Sequence, residues 1–499
     1  MAEKHRINQK FYFGRPTWRN STKTLKAHPL KYYYPENKKD LIEIVREGIE
    51  HNVSVRAVGS GHSYSKAPLA SGLLVDMSKL DHLKPYHHSI AVGHFFDVEA
   101  GIKVEALNTA LDKAGYCLSA MGGIDHQSIA GAISTGTHGS SLKYGAMSKM
   151  VKSIVLITHD KIDDTKIQTY RIEPTKGFTD PTKCPEELIA DDEVFFSALV
   201  CFGSLGLIYS YVLEVEPMYH LREKKSLRPW KEVRNDLENG LPDRHDSVMV
   251  LVNPYTKGEN RSALVTTHDR VPKGEENLIL QDLKRKVLFP LKRFSRSFLY
   301  ELVSRFPLFF WISVWNFNKK PQNIAKLLDT AVKSQRDEEY LNKGYKVMYQ
   351  GLDYIKERAY DCEFAVRMNG NHYLEVLDQL MIYLQHIHEL YQVNITSPIG
   401  LRFVAASPAF LTAEYGQDVC YIDTPVLLHA YGRETILDHI QSFMLDKNAI
   451  PHWGKINDQM DYEHVQQRFP KFRNFRKQLL LFNRHKIFSN KFTRQVLDY

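Results

Sequence analysis

Residues Gly59 to Ser65 read GSGHSYS, and residues 121–145 read MGGIDHQSIAGAISTGTHGSSLKYG. A dinucleotide fingerprint GxGxxG needs its third glycine where this chain has Tyr64, and a helix should open directly afterwards. The residues that follow, KAPLASG, carry no helical pattern. What remains is a short turn with exposed backbone N–H groups, suited to a pyrophosphate, with His62 at its apex. The second stretch is crowded with Gly, Ala, Ser and Thr, so its backbone can approach a bulky planar or anionic ligand closely. A third glycine turn follows in CFGSLGLI, residues 201–208. Each stretch alone is weak evidence. Their succession is more specific.

Around these turns the pattern is mixed. Residues 37–51 (NKKDLIEIVREGIEH) place apolar side chains on one helical face, and VEALNTALDKAG (104–115) reads as a helix closed by glycine. VSVRAV (53–58), LLVDM (73–77), HFFDVEAG (94–101), SIVLIT (153–158) and LGLIYSYVLEV (205–215) read as strands, and DEVFFSALVCFG (192–203) as a helix. Regular βαβ spacing is missing, which predicts an α+β fold over a doubly wound parallel sheet. From 221 the pattern changes. Long helical stretches (321–341 and 373–392) alternate with strand-like SVMVLVN, CEFAVRM and LRFVAAS, the pattern of a second α+β domain. No linker tract separates the two, so a site between them is expected.

Composition narrows the function classes. A 499-residue chain with 43% hydrophobic and 25% charged residues is an ordinary globular protein of two domains. Its five cysteines are scattered, odd in number and never spaced CxxC, which fits a reducing compartment without a disulfide frame or zinc site. The polar start MAEKHRINQKFYFGRPTWRN lacks a signal-peptide core, so a cytoplasmic location is expected. The net charge of +8 owes much to Lys284–Arg296 and Arg468–Arg494. No nucleic-acid-binding signature accompanies it, and a solvated basic face is the default reading. FPLFFWISVWNF (306–317) is shorter than the roughly 20 residues of a spanning helix. It reads either as core or, with the preceding basic run, as a peripheral membrane contact through 284–317. His62, His126 and His138 match no familiar metal-ligand spacing, so no metal is expected. The histidines at 82, 87, 88 and 94 read as a solvated hairpin.

The succession GSGHS, SIAGAISTGTHG and GSLG resembles the flavin domain of the vanillyl-alcohol-oxidase superfamily. PHWGK (451–455) resembles the histidine–tryptophan–x–lysine signature of the aldonolactone (gulono- and arabinono-1,4-lactone) and alditol oxidases, and NPYTK (253–257) and IFSNKF (487–492) are similar to the same group. The likeness is strongest at 15–220 and 395–499 and weakest at 270–345. It implies a two-domain, PCMH-type FAD-binding fold: an FAD domain over 1–220, an α+β cap over 221–445, and a C-terminal segment, 446–499, that returns to the FAD domain and active site. It also implies FAD bonded covalently to His62 through the C8α methyl, the alternative being a turn histidine beside non-covalent FAD. Gly59, Ser60, Gly61, Ser63, Tyr64, Gly122, Ser128, Ala130, Gly131, Ser134, Thr135, Gly136, Thr137, His138, Gly139, Gly206 and Ile208 would line the cofactor.

Ser128 matches a serine that faces substrate in alditol oxidases, and equally reads as a plain turn serine. Lys455 and Arg402 match the family's active-site lysine and strand arginine. Fixed cations there stabilise the negative charge left on flavin N1 and C2=O by hydride transfer. A cross-strand salt bridge is the other reading of Arg402. His452, or a water held by Lys455, is the candidate proton acceptor. One departure stands out. The family shows a glutamate two residues before the arginine, where this chain has Gly400; Asp361, Glu363 and Asp423 are the candidates to replace it from a neighbouring strand. The implied reaction oxidises a carbinol of a sugar, polyol or sugar-1,4-lactone, passing electrons to oxygen or to a carrier. The alternatives are a membrane-associated epimerase or reductase for a lipid-linked sugar or sterol, and a non-catalytic flavin scaffold.

Overall fold

The structure, a computed structural model, describes residue 7 and residues 16–163, 165–256, 261–272, 307–333, 339–350 and 359–498. Asn37 begins the first long helix, Lys38–Glu50, by accepting hydrogen bonds from the backbone N–H groups of Lys39 and Asp40. That helix buries Leu41, Ile44 and Val45, the face legible in the sequence. Three short parallel strands accompany it: β1 (Lys31–Tyr33), β2 (Val55–Val58) and, between them, β3 (Leu73–Asp76). The GSGHSYS turn therefore leaves the C-terminal end of β2, and no helix intervenes before β3.

A second sheet contains β4 (Leu83–Pro85), β5 (His94–Glu99), β6 (Val151–His159), β7 (Ile167–Glu173), β8 (Glu187–Ala190) and β9 (Leu207–Pro217) in the order β8-β7-β6-β9-β5-β4. Only β7 and β8 run parallel in this sheet. The second half of the chain builds an eight-stranded antiparallel sheet. Its strands are β10 (His220–Pro229), β11 (Ser247–Val252), β12 (Ser262–Arg270), β13 (Glu339–Lys343), β14 (Ala359–Arg367), β15 (Ile399–Val404), β16 (Val419–Leu427) and β17 (Ile450–Pro451). Their spatial order is β13-β10-β12-β11-β15-β16-β14-β17.

Helix His372–Tyr391 covers one face of this sheet, with Tyr373 set edge-on to Phe403 at 5.9 Å. Side chains alternate along a strand, so Arg402 projects from the other face. The C-terminal helices lie against the N-terminal half: Thr158 Oγ1 donates to Phe482 O at 2.6 Å, and Asn474 donates to Glu193 at 2.6 Å.

Several expectations change. The helix expected over 321–341 is described only as Ile324–Lys333; Glu339–Lys343 is instead a strand paired with β10. Tertiary pairing overrides helical propensity there. SIAGAIS, to which the sequence assigns no element, contains a short helix, Ile129–Ser134. The apolar 307–319 stretch is helical. Val314 is buried, whereas Leu308, Trp311, Ile312 and Trp315 are exposed. The basic run 284–296 lies outside the described residues. Among those residues, no helix is long and apolar enough to cross a membrane.

Candidate active site

Two distant motifs meet at the end of β2. Tyr64 N donates to Gly454 O at 2.8 Å, and Ser63 Oγ donates to the same carbonyl at 3.2 Å. GSGHSYS is thereby latched to PHWGK. Gly61 turns the chain at φ +71°, and its carbonyl accepts Ser21 N at 2.9 Å. Ser21 Oγ then lies 3.4 Å from His62 Nδ1. Gly59 to Tyr64, Ser60 included, are all partly exposed.

The glycine-rich stretch 121–145 packs directly on this turn. A Cβ at Gly59 would fall 1.8 Å from Ser128 Oγ, and one at Gly131 2.9 Å from the same atom. Ser128 thus fills the gap between two glycines. Gly122 and Gly139 are equally tight, against Thr137 Cγ2 (2.9 Å) and Met121 O (2.8 Å). Ala130 and Thr135 are partly exposed beside them, and Gly136 holds φ +78°. The third turn joins through Phe202 N, which donates to Ser134 O at 3.1 Å, while Ser134 Oγ lies 3.4 Å from Tyr211 OH. Gly206 approaches Ile157 O, and Ile208 is buried in β9. These last two pack against the sheet.

The catalytic candidates come from three strands and one loop. In register, Glu363 of β14, Asp423 of β16, Gly400 of β15 and Leu251 of β11 form one rung; two positions along, on the same face, Ala365, Tyr421, Arg402 and Met249 form another. The PHWGK loop runs beside β14, with His452 N donating to Glu363 O (2.9 Å) and Ile456 N to Asp361 O (3.0 Å). Trp453 anchors it, donating its indole N–H to Leu411 O at 2.7 Å and stacking on Phe469. Lys455 Nζ consequently binds Asp361 Oδ2 and stands 3.5 Å from Glu363 Oε2. Arg402 Nε is 3.9 Å and His138 Nε2 3.7 Å from Glu363 Oε1.

Electrostatics follow from this crowding. Burial raises the Glu363 pKa, but the Lys455 ammonium, with the Arg402 guanidinium beyond it, outweighs burial and holds the carboxyl well below its usual range. Burial likewise opposes the Lys455 ammonium, and Asp361, Glu363 and Asp423 more than restore it. His452 is pushed down to about 3, chiefly by burial. Its Nδ1 accepts Gly454 N–H at 3.0 Å. His138 is also lowered by burial; its Nδ1–H donates to Gly139 O at 2.9 Å, and its ring stacks on Tyr421 at 3.8 Å. Both imidazoles are therefore neutral. His138, Glu363 and His452 offer three donor atoms within 4.8 Å of one another. The cations facing that carboxylate are the Lys455 ammonium and the Arg402 guanidinium.

The glycine-rich region fits FAD. Thr137 Oγ1, Gln127 Oε1 and Ser204 Oγ are buried without a hydrogen-bond partner among the described residues, the state of groups awaiting a polar ligand. His62, Ser128, Thr135 and Thr137 would hold the group beside Lys455. An adjoining pocket, open to solvent, is lined by Met121, Gly123 and Gly139 on one side and by Met249, Gln350 and Arg402 on the other. Arg402 links it to the acidic cluster. Gln350, Met249, Tyr421 and Glu414 escape sequence reading. Register alone brings Tyr421 opposite Arg402, and its hydroxyl then donates to Glu414 at 2.8 Å. NPYTK, by contrast, is a packing turn. Asn253 Nδ2 donates to Ala325 O (2.7 Å) and Asp329 (2.9 Å), while Lys257 lies outside the described residues.

Known proteins agree with this arrangement. Residues 29–161 match a family model described as FAD binding domain, and residues 212–496, more than half the chain, match one described as D-arabinono-1,4-lactone oxidase. An L-gulonolactone oxidase from Mus musculus is 24% identical over 93% of this chain and 94% of its own length. An L-gulono-1,4-lactone dehydrogenase from Mycobacterium tuberculosis is 24% identical over 97% and 99%. Among solved structures, a cholesterol oxidase from B. sterolicum shares the fold, with TM-score 0.75 at 14% identity over 98% of this chain and 97% of that one. The family models and the lactone-oxidising relatives fit the lactone-oxidising reading of the sequence and neither of its alternatives. The chain belongs to the D-arabinono-1,4-lactone oxidase family of FAD-dependent oxidoreductases.

Proposed function

We propose that the protein oxidises a ring or chain carbinol of a sugar-1,4-lactone. The supporting observation is the Lys455 ammonium held between Asp361 and Glu363, with Arg402 one strand away, on a loop latched to the His62 turn. Bound FAD supplies the hydride acceptor. Lys455 and Arg402 bind the substrate hydroxyl and stabilise negative charge on its oxygen as the proton leaves. The proton passes to Asp361, the carboxylate bound to Lys455. His452, with its low pKa and occupied Nδ1, positions the loop. Ser128 sets the spacing between the turn and the glycine-rich stretch. Met249 and Gln350 shape the cavity wall around Arg402.

Three finer points belong to this reading. FAD is bonded to His62, so an SDS-denatured band should fluoresce and the His62→Ala band should not. The division into 1–220, 221–445 and 446–499 is supported by the change of sheet between Pro217 and His220 and by the docking of the C-terminal helices. A cytoplasmic location, supported by five free cysteines, is combined with peripheral membrane contact through 284–317, supported by the exposed Trp311 and Trp315. Liposome sedimentation that is unaffected by Trp311→Ser and Trp315→Ser refutes that contact.

Anaerobic mixing with L-gulono- and D-arabinono-1,4-lactone tests the function. Bleaching of the flavin supports the proposal, and an unchanged spectrum with every lactone overturns it. Peroxide release on readmitting air assigns oxygen as acceptor; dye reduction without peroxide assigns a carrier.

A further inference from the structure

Gly400 and Asp423 face each other across one rung of the eight-stranded sheet. A Cβ at Gly400 would lie 3.3 Å from Asp423 Cβ, 3.5 Å from Asp423 Oδ2 and 3.7 Å from Leu251 Cδ2. A Cβ at 400 would press on the Asp423 Cβ, and a longer side chain would compete with the Asp423 carboxyl for the same side of the rung. We propose that Asp423, reaching across Gly400, supplies a carboxyl of the substrate-binding face and, through Asp361, positions the Lys455 ammonium for the substrate hydroxyl. This rests on the lactone-oxidising reading above.

The charge count of the cluster supports the assignment. Asp361 and Glu363 of β14 and Asp423 of β16 bring three carboxyls; Lys455 and Arg402 bring two cations, and Tyr64 faces the group from the turn. Neutrality requires one proton on the carboxyls. Burial first, and then the neighbouring Asp361, drive the Asp423 pKa well above its ordinary value against the pull of Lys455, so Asp423 holds that proton. As a carboxylic acid it can donate, and it hydrogen-bonds Asp361. The second oxygens, Asp361 Oδ1 and Asp423 Oδ1, are buried without a partner among the described residues. A substrate hydroxyl would satisfy them.

The test compares four variants by anaerobic flavin reduction with L-gulono-1,4-lactone. An amide reproduces the donor of a protonated acid, so Asp423→Asn should lose only about threefold in kcat/KM, and Asp423→Ala about 30-fold. Gly400→Glu should lose at least about 30-fold, because its side chain meets Asp423. Gly400→Glu combined with Asp423→Ala returns a carboxyl to the same rung and should recover about tenfold over Asp423→Ala. An Asp423→Ala enzyme within about twofold of wild type, or a double variant no better than the single, overturns the proposal.

Melting curves give a reading that needs no substrate. An acid whose folded pKa is raised stabilises the fold below its ordinary pKa and loses that contribution as pH rises through the folded value. Wild type should lose melting temperature more steeply than Asp423→Asn as pH rises above the ordinary carboxyl value of 3.8. Equal slopes overturn the shared proton. Failure of the lactone reading itself shows separately, as wild-type flavin that no lactone bleaches.

Discussion

Arg56 provides the sharpest test of how the cofactor turn is held. Its guanidinium is 2% exposed and donates to four carbonyls: Ala67 (2.6 Å), Phe202 (2.6 Å), Gly203 (3.0 Å) and Phe488 (2.6 Å). Those acceptors belong to the loop after His62, the GSLG turn and the C-terminal segment, so one side chain ties three parts of the FAD region. Replacement by Met keeps length and removes every donor. Leaving four buried carbonyls short of a donor costs about 1–2 kcal/mol each, or roughly 6 kcal/mol together. Against this, the variant is relieved of burying a cation. Burial lowers the Arg56 pKa from 12.5 to about 10, equivalent to roughly 3 kcal/mol. The guanidinium stays charged at working pH; the lowered value measures the burial cost.

The net loss is then about 3 kcal/mol, or roughly 6–10 °C in melting temperature for a cooperative unit of about 200 residues. Differential scanning fluorimetry of the flavin-loaded protein measures it, with flavin release as a second readout. Arg56→Lys should fare no better, because a single ammonium cannot reach three segments while its burial cost persists. An Arg56→Met variant melting within about 2 °C of wild type, flavin retained, would refute the reasoning.

Other outcomes follow from the same geometry. Lys455→Met should slow anaerobic flavin reduction about 100- to 1,000-fold, measured by stopped flow, because it removes the cation from beside three carboxyls. Gly59→Ala should deplete bound flavin in the purified protein, since its Cβ would lie 1.8 Å from Ser128 Oγ; adding Ser128→Gly should restore the yellow colour. His452 is held neutral with a folded pKa of about 3. Because the unfolded chain binds the proton that the folded one refuses, its contribution is present above the ordinary histidine value, 6.5, and declines as pH falls toward about 3. Stability should drop by up to about 1.4 kcal/mol per pH unit from this group alone. His452→Asn should flatten the slope in pH-dependent melts.

Local signals carried much of the architecture. Lys38–Glu50 and His372–Tyr391 are periodic enough to be read directly, and the missing third glycine at Tyr64 argued against a helix after the turn, where none forms. The glycine-rich turns report a backbone that must come close to a bulky planar or anionic ligand, and the resemblance of their succession to a flavin domain is what made that ligand FAD. PHWGK and GLRFV identified Lys455 and Arg402 as cations of interest. Asp361, Glu363 and Asp423 were legible as candidate carboxylates, but not which of them those cations face.

That was decided by register and by the return of the chain. Asp361, Glu363 and Asp423 become partners of Lys455 because β14 lies between β16 and β17, although 94 residues separate Asp361 from Lys455. The rung that sets Asp423 over Gly400 depends on antiparallel pairing, and a slip of one residue would turn every one of these side chains to the other face. Arg56 and Phe488 meet across 432 residues. The fate of His452 illustrates the same limit: its residue type offered a proton acceptor, but burial and the Gly454 N–H took that capacity away. Residue type determines which chemistry a side chain can perform. Desolvation and neighbouring charge, which exist only once the sheet is assembled, decide its protonation state and therefore its role.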